Sequence, residues 1–157
     1  MPLFHSSPIL LAEGSIILPG NYGRIIRQTG KSHPHWHRER ELEEVRKRKF
    51  SDKPSRLGSA FACTSLETAR FYMQVPALQG AVAMQPVLYE VEKVVPDAPE
   101  HRTDFNVVQP LPGRPETMSE IATLYWTAAL WITIKEQPTL RCEELVTLSP
   151  LRILKML

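Results

Sequence analysis

Proline sets the grain of this chain: fourteen of its 157 residues are proline, and they fall between the stretches that carry a periodic pattern. Proline fixes φ and has no amide hydrogen to donate, so each one borders a helix or central strand rather than continuing it. The elements must therefore be short and numerous. Strands are predicted over residues 2–6, 59–63, 86–95, 144–148 and 152–156, the last two joined at Ser149-Pro150, and residues 15–19 form a short apolar segment before the turn at Gly20-Asn21. Residues 38–50, RERELEEVRKRKF, predict a charged helix with acids early and bases late, which suits the helix dipole. Glu43 and Glu44 each have a base four residues on, at Lys47 and Arg48. Only Leu42 and Val45 offer an apolar stripe, so this helix is expected on the surface. Thr64 with Glu67, and Thr117 with Glu120, have capping-box spacing and open a helix through about Gln74 and a hydrophobic one over 118–135. The run from Pro96 to Pro115 is predicted to be a long polar connection. Strands and helices mix without regular βαβ alternation, so the class is α+β.

A chain of this length suits one domain, here 1–157, and buries enough surface to fold without a disulfide or structural metal. Cys63 and Cys142 are the only cysteines and are expected to be free thiols in a reducing compartment. No apolar run approaches the roughly 20 residues that cross a bilayer, so no membrane role is expected. The opening MPLFHSSPILLAEG lacks a basic n-region and a proper h-region, which argues for a cytoplasmic protein, or one delivered to a target cell without a classical signal peptide. The formal net charge of +2 is too small to argue for nucleic acid by itself.

Three separated pieces resemble one family in the right order. Leu3-Phe4-His5-Ser6-Ser7 is similar to the opening strand of ADP-ribosyltransferases of the diphtheria-toxin and poly(ADP-ribose) polymerase branch, with Ser6 where that family commonly has glycine. Glu13-Gly14-Ser15-Ile16-Ile17-Leu18-Pro19-Gly20 resembles a segment of the rifampin-modifying enzymes. Ala60-Phe61-Ala62-Cys63, followed by a helix with Ala69 and a closing aromatic at Phe71 or Tyr72, resembles the family's second motif, with Phe61 for the usual tyrosine. Cys142-Glu143-Glu144-Leu145-Val146 is similar to the late strand that carries the family's glutamate. Transferases that modify arginine often have a second acid two residues earlier, where this chain has Cys142.

The resemblance implies an α+β, ADP-ribosyltransferase-like split β-sandwich with flanking helices. In it, residues 31–57 form a charged helical insertion and residues 96–135 a proline-rich loop and hydrophobic helix. It implies NAD as substrate, held by His5 and Ser6 at the adenosine ribose and nicotinamide, by the stacking ring of Phe61, and by Tyr72. Arg24 and Arg56 are candidates for the pyrophosphate, with pairing to a surface carboxylate the competing reading of each. Glu144, with Glu143 next, is the candidate catalytic acid, because breaking the nicotinamide–ribose bond builds an oxocarbenium-like cation that a carboxylate stabilises. The expected activity is transfer of ADP-ribose to a protein, nucleic acid or small molecule, as in a toxin, effector or defence protein with a cognate antitoxin or immunity protein. An NAD glycohydrolase and a non-catalytic NAD- or protein-binding module on the same fold are the alternatives.

Several residues have plainer readings. His33, His35 and His37 would share a face if extended, but no partner is fixed nearby by spacing, so no metal site is expected. Arg46-Lys47-Arg48-Lys49 reads as a solvated helix end, with phosphate contact the alternative. Tyr125, Trp126 and Trp131 read as core.

Overall fold

The computed structural model describes residues 1–78, 86–109, 115–129 and 142–157. Seven strands, β1 (Leu3–Ser7), β2 (Ile16–Ile17), β3 (Ala60–Cys63), β4 (Val87–Lys93), β5 (Glu100–Asp104), β6 (Glu143–Thr147) and β7 (Leu151–Met156), hydrogen-bond in the order β2-β7-β4-β1-β3-β6-β5. Every pairing is antiparallel. Among the described residues four α-helices, α1 (Asn21–Thr29), α2 (Trp36–Lys49), α3 (Leu66–Leu78) and α4 (Met118–Trp126), complete an α+β fold.

The middle of the sheet is its weakest join. β1 pairs with β4 along its whole length, Leu3 with Val91 through Ser7 with Val87. Its pairing with β3 is registered at Phe4 and Cys63 alone. The expected two small sheets are therefore one sheet in hydrogen-bonding terms, with a seam between β2-β7-β4-β1 and β3-β6-β5. The face with Leu3, Tyr89, Val91 and Ile153 from one side of the seam and Ala60, Ala62 and Leu145 from the other is buried, and that cluster draws on no helix. The opposite face is covered by helices. There Val146 packs with Leu42 and Val45 of α2 and with Ala122, Tyr125 and Trp126 of α4. Phe4 packs with Ala69 of α3.

Several sequence expectations change. The charged helix lies at the surface with one face buried more deeply than its short stripe suggests: Glu39, Leu42 and Val45 are fully buried, Arg40, Glu44 and Lys47 stay exposed, and Trp126 Nε1 donates to the Leu42 carbonyl at 2.8 Å. A two-residue apolar stripe is enough when a tryptophan closes over it. Its ion pairs run i to i+3, Glu43–Arg46 and Glu44–Lys47, in place of the i to i+4 pairs expected. The Pro96–Pro115 connection contains β5 and a 3-10 turn at Phe105–Val108. β5, Glu-His-Arg-Thr-Asp, lacks apolar alternation because it is an edge strand whose buried positions, His101 and Thr103, donate to the Tyr125 carbonyl. At α3 the cap is Ser65, whose Oγ accepts from Thr68 N at 3.1 Å, one residue later than the expected Thr64 and Glu67, and the helix runs to Leu78, past the expected end near Gln74 and through Pro76, which continues rather than borders it. The Thr117–Glu120 capping box is present in both directions. The hydrophobic helix expected over 118–135 ends at Trp126, with Thr127 as its C-cap; residues 130–135, Trp131 included, lie outside the described residues, as does the side chain of Tyr72.

One glycine fixes how α1 meets the sheet. A Cβ on Gly23 would lie 1.8 Å from the Leu57 carbonyl oxygen, which is backbone and cannot swing away. Gly23→Ala is expected to cost at least the roughly 1–3 kcal/mol of an overpacked core. The check is urea unfolding of the purified variant; a midpoint equal to wild type would mean that α1 does not rest on this segment.

Candidate active site

The seam exposes backbone that would otherwise be paired. In an antiparallel ladder registered at Phe4 and Cys63, Ser6 would oppose Phe61, but the pairing has opened by then. The Phe61 carbonyl is instead taken by His5, whose Nδ1 lies 2.8 Å from it. A carbonyl only accepts, so Nδ1 carries the proton and Nε2 is left as an acceptor in the neutral ring. Burial lowers the His5 pKa, outweighing the raising effect of that hydrogen bond, and keeps the ring neutral at pH 7. Nε2 has no hydrogen-bond partner among the described residues. Ser6 is half-buried beside it, paired with Leu88 across β4.

On the other side of the seam, Phe61 and Glu144 project from the helix-covered face. Their strands pair Phe61 with Val146 and Cys63 with Glu144. Glu144 is buried, and its Oε1 accepts from the Tyr125 hydroxyl at 2.5 Å and from Arg56 Nη1. Its Oε2 has no hydrogen-bond partner among the described residues. Glu143, the alternate candidate, is half-buried and by strand alternation points the other way.

Arg56 is neither a surface residue nor paired with a surface carboxylate. It lies in a 3-10 turn, Arg56–Gly58, and is buried. Nε and Nη2 donate to the two oxygens of Glu39 at 2.9 and 3.2 Å, a bidentate fork, while Nη1 reaches Tyr125 and Glu144. Glu39 is fully buried and takes a second cation, Arg38, at 3.0 Å. Burial alone would raise the Glu39 pKa, but Arg56 and Arg38 together hold it below the usual carboxylate value. Burial alone would likewise lower that of Arg56, and Glu144 and Glu39 reverse the sign. Tyr125 is pushed well above its ordinary value by burial and by the Glu144 charge, so its hydroxyl stays protonated and donates.

The Phe61 ring packs on the helix-covered side. The Arg56 guanidinium sits 4.9 Å from its centroid, and the Tyr22 ring meets it edge-on at 5.5 Å. Phe61, Arg56 and Glu144 thus form one group of side-chain contacts on the helix-covered face, and His5 reaches it only through the Phe61 backbone carbonyl: its side chain lies on the opposite, strand-buried face with Tyr89, so His5 and Glu144 do not share a face. The expected partner Arg24 does not join it: that side chain is exposed on α1, bonded to Asn21 and Gln28. Phe71, one candidate for the closing aromatic, is exposed on α3. Thiol chemistry is disfavoured, since burial and the Glu144 charge push Cys63 up to about 12, and burial, Asp104 and Glu144 push Cys142 to about 12. An open cleft of about 490 Å³ between Leu3, Thr64, Lys93 and Arg102 contains none of the candidate residues.

The histidine segment is not extended throughout. Trp36 already begins α2, so the His37 ring packs on Trp36 while those of His33 and His35 lie 5.6 Å apart. Among the described residues no group of three His, Cys, Asp or Glu side chains is arranged to hold a metal ion.

Sequence reasoning missed Glu39 and Tyr125 as partners of the site. Glu39 had a readable signal: it sits three residues before Leu42, in phase with the only apolar stripe of its helix, and a charge on a buried stripe needs a partner. Tyr125 had none beyond its place on a hydrophobic helix.

Residues 14–141 match the model of a family described as a protein of unknown function, DUF2441. The match covers most of the chain, which belongs to that family. No curated protein matches it.

Proposed function

For this member of the family we propose an NAD-dependent ADP-ribosyltransferase on an ADP-ribosyltransferase-like split β-sandwich. The observation that carries the reading is the opened seam, where a neutral histidine on β1 holds the Phe61 backbone carbonyl from the strand-buried face while the Phe61 ring and the buried Glu144 carboxylate lie on the helix-covered face, so that NAD would have to cross the seam to meet all three. The sheet face buried by strands alone supports the split sandwich, because such a face needs the sheet to fold over it. NAD would lie across the seam, with His5 Nε2 accepting from a ribose hydroxyl, Ser6 close to the nicotinamide and Phe61 stacking on it. Glu144 would stabilise the cationic ribose through Oε2, with Arg56 and Tyr125 holding the carboxylate by Oε1. Arg56 is then a positioning residue and not a pyrophosphate ligand, since its donors are spent on Glu39, Tyr125 and Glu144.

The ion pair itself favours a second reading. A carboxylate neutralised by a buried guanidinium stabilises a developing cation less than a free one, as in a binding module that has lost catalysis. Nicotinamide release from NAD by the purified protein separates the two: steady release supports the transferase, and NAD binding without release supports the module.

Phe61→Ala is expected to weaken NAD binding by roughly 1–3 kcal/mol, and Phe61→Tyr to be tolerated. Calorimetric titration checks this. Unchanged affinity in a folded Ala variant would reduce the ring to its packing against Tyr22 and Arg56.

A further inference from the structure

We propose that an exposed basic ridge along α1 and the start of α2 binds the phosphate backbone of a nucleic acid, and, resting on the transferase reading, that this polymer is the acceptor. The charge of the chain is unevenly placed. Residues 14–58 hold eleven of the nineteen Lys and Arg and five of the seventeen Asp and Glu, a net of +6, against −4 for the rest. No acid occurs between Glu13 and Glu39.

Part of this charge is paired or buried, as at Arg38, Arg46 and Arg56, and four of the cations lie exposed along one stretch. Arg24 and Arg27 are exposed on α1, at i and i+3, and Lys31 follows in the turn after Gly30. Lys31 Nζ lies 5.9 Å from the Trp36 ring centre and the Arg40 guanidinium 5.2 Å from it, which carries the ridge into α2. None of these four cations has a carboxylate partner among the described residues, and Arg24 meets only two amide side chains. The cations across the sheet are different. Arg152 is paired with Glu92 at 2.8 Å, Lys155 with Glu90 at 3.0 Å and Arg102 with Glu100 at 3.0 Å. Clustered cations without counter-charge repel one another, and a polyanion that displaces their counterions relieves this. Trp36 supplies an aromatic surface between cations, which is what a single strand uses for base stacking.

The ridge is also tied to the seam. The inner side of α1 carries Tyr22, which meets the Phe61 ring, and Gly23, which rests on the Leu57 backbone. A strand lying on the outer side of α1 is therefore one helix diameter from Phe61, on the order of 10 Å.

The test is fluorescence anisotropy without NAD, using labelled single-stranded DNA, single-stranded RNA and duplex DNA of about 20 nucleotides. Wild type is expected to bind at least one of them, with affinity falling at least about tenfold between about 50 and about 200 mM salt. The triple variant Arg24→Gln, Arg27→Gln, Arg40→Gln is expected to lose about tenfold or more and to flatten the salt slope. The triple variant Arg102→Gln, Arg152→Gln, Lys155→Gln removes the same charge elsewhere and should stay within about twofold of wild type. No binding to any of the three polymers, or equal loss in both variants, overturns the proposal. So does binding to phosphatidylglycerol vesicles with none to oligonucleotides. Because NAD is absent, failure here leaves the transferase reading standing. Oligonucleotide binding by a chain that never releases nicotinamide keeps the ridge and removes the acceptor assignment.

Discussion

Replacing Arg56 with methionine is expected to destabilise the protein by about 3–5 kcal/mol, the cost of breaking a buried ion-pair network from one side. The guanidinium touches Glu39 on α2, Tyr125 on α4 and Glu144 on β6, so one side chain ties three elements that are far apart in sequence. Without it, Glu39 keeps Arg38 and the Tyr22 hydroxyl, and Glu144 keeps the Tyr125 hydroxyl. Arg56→Lys keeps a charge but loses the fork, and should recover only part of the loss. The deficit also has a pH signature. In wild type the Glu39 pKa is held below 4.5, so its contribution is present above that value and is lost as pH falls through the folded pKa. In Arg56→Met burial dominates, the folded pKa moves above 4.5, and protonation relieves the strain at a higher pH. The gap between the two proteins should therefore narrow from pH 7 towards pH 4.5. Urea unfolding at several pH values reads both effects. A loss below about 1 kcal/mol would mean that the network contributes no more than a surface pair.

Glu144→Gln should cut NAD turnover by about 100-fold or more and leave NAD affinity within a few-fold. Glutamine keeps an oxygen that accepts from Tyr125 and Arg56, so the shape of the network survives, while the negative charge is gone. A charge aimed at a cation that exists only in the transition state affects turnover and not ground-state binding. Glu143→Gln is the internal control, because that side chain projects from the other face of β6. If Glu143→Gln abolishes nicotinamide release and Glu144→Gln does not, the acid is one residue away from its proposed place. If neither changes a measurable rate, no glutamate on β6 takes part.

The strands were legible where burial writes an alternating or apolar pattern. β1, β3, β4, β6 and β7 all fall where Leu3-Phe4-His5, Ala60–Cys63, Val87–Lys93 and the closing pair predict them. β5 was not legible, because its inward groups are His101 and Thr103, which satisfy one helix-end carbonyl, and polarity reads as loop. Glu144 was chosen over Glu143 by motif, and it is Glu144 that is buried. The network behind it was hidden for a physical reason. Local charge spacing on α2 suggested surface pairs, while the decisive partner of Glu39 is Arg56, seventeen residues on, reached only after the chain has turned back over the sheet. Arg24 and Arg56 looked alike in sequence, each an arginine in a region of turns; burial alone separates a solvated guanidinium from one enclosed by two carboxylates.

The central claim is that NAD binds across the β1–β3 seam, and amide NMR during NAD titration of the full chain tests it most directly. The account predicts concentration-dependent shifts that centre on His5, Ser6, Phe61 and Glu144, with none at the cleft formed by Thr64, Lys93 and Arg102. Spectra unchanged at millimolar NAD, or shifts confined to that cleft, would contradict it.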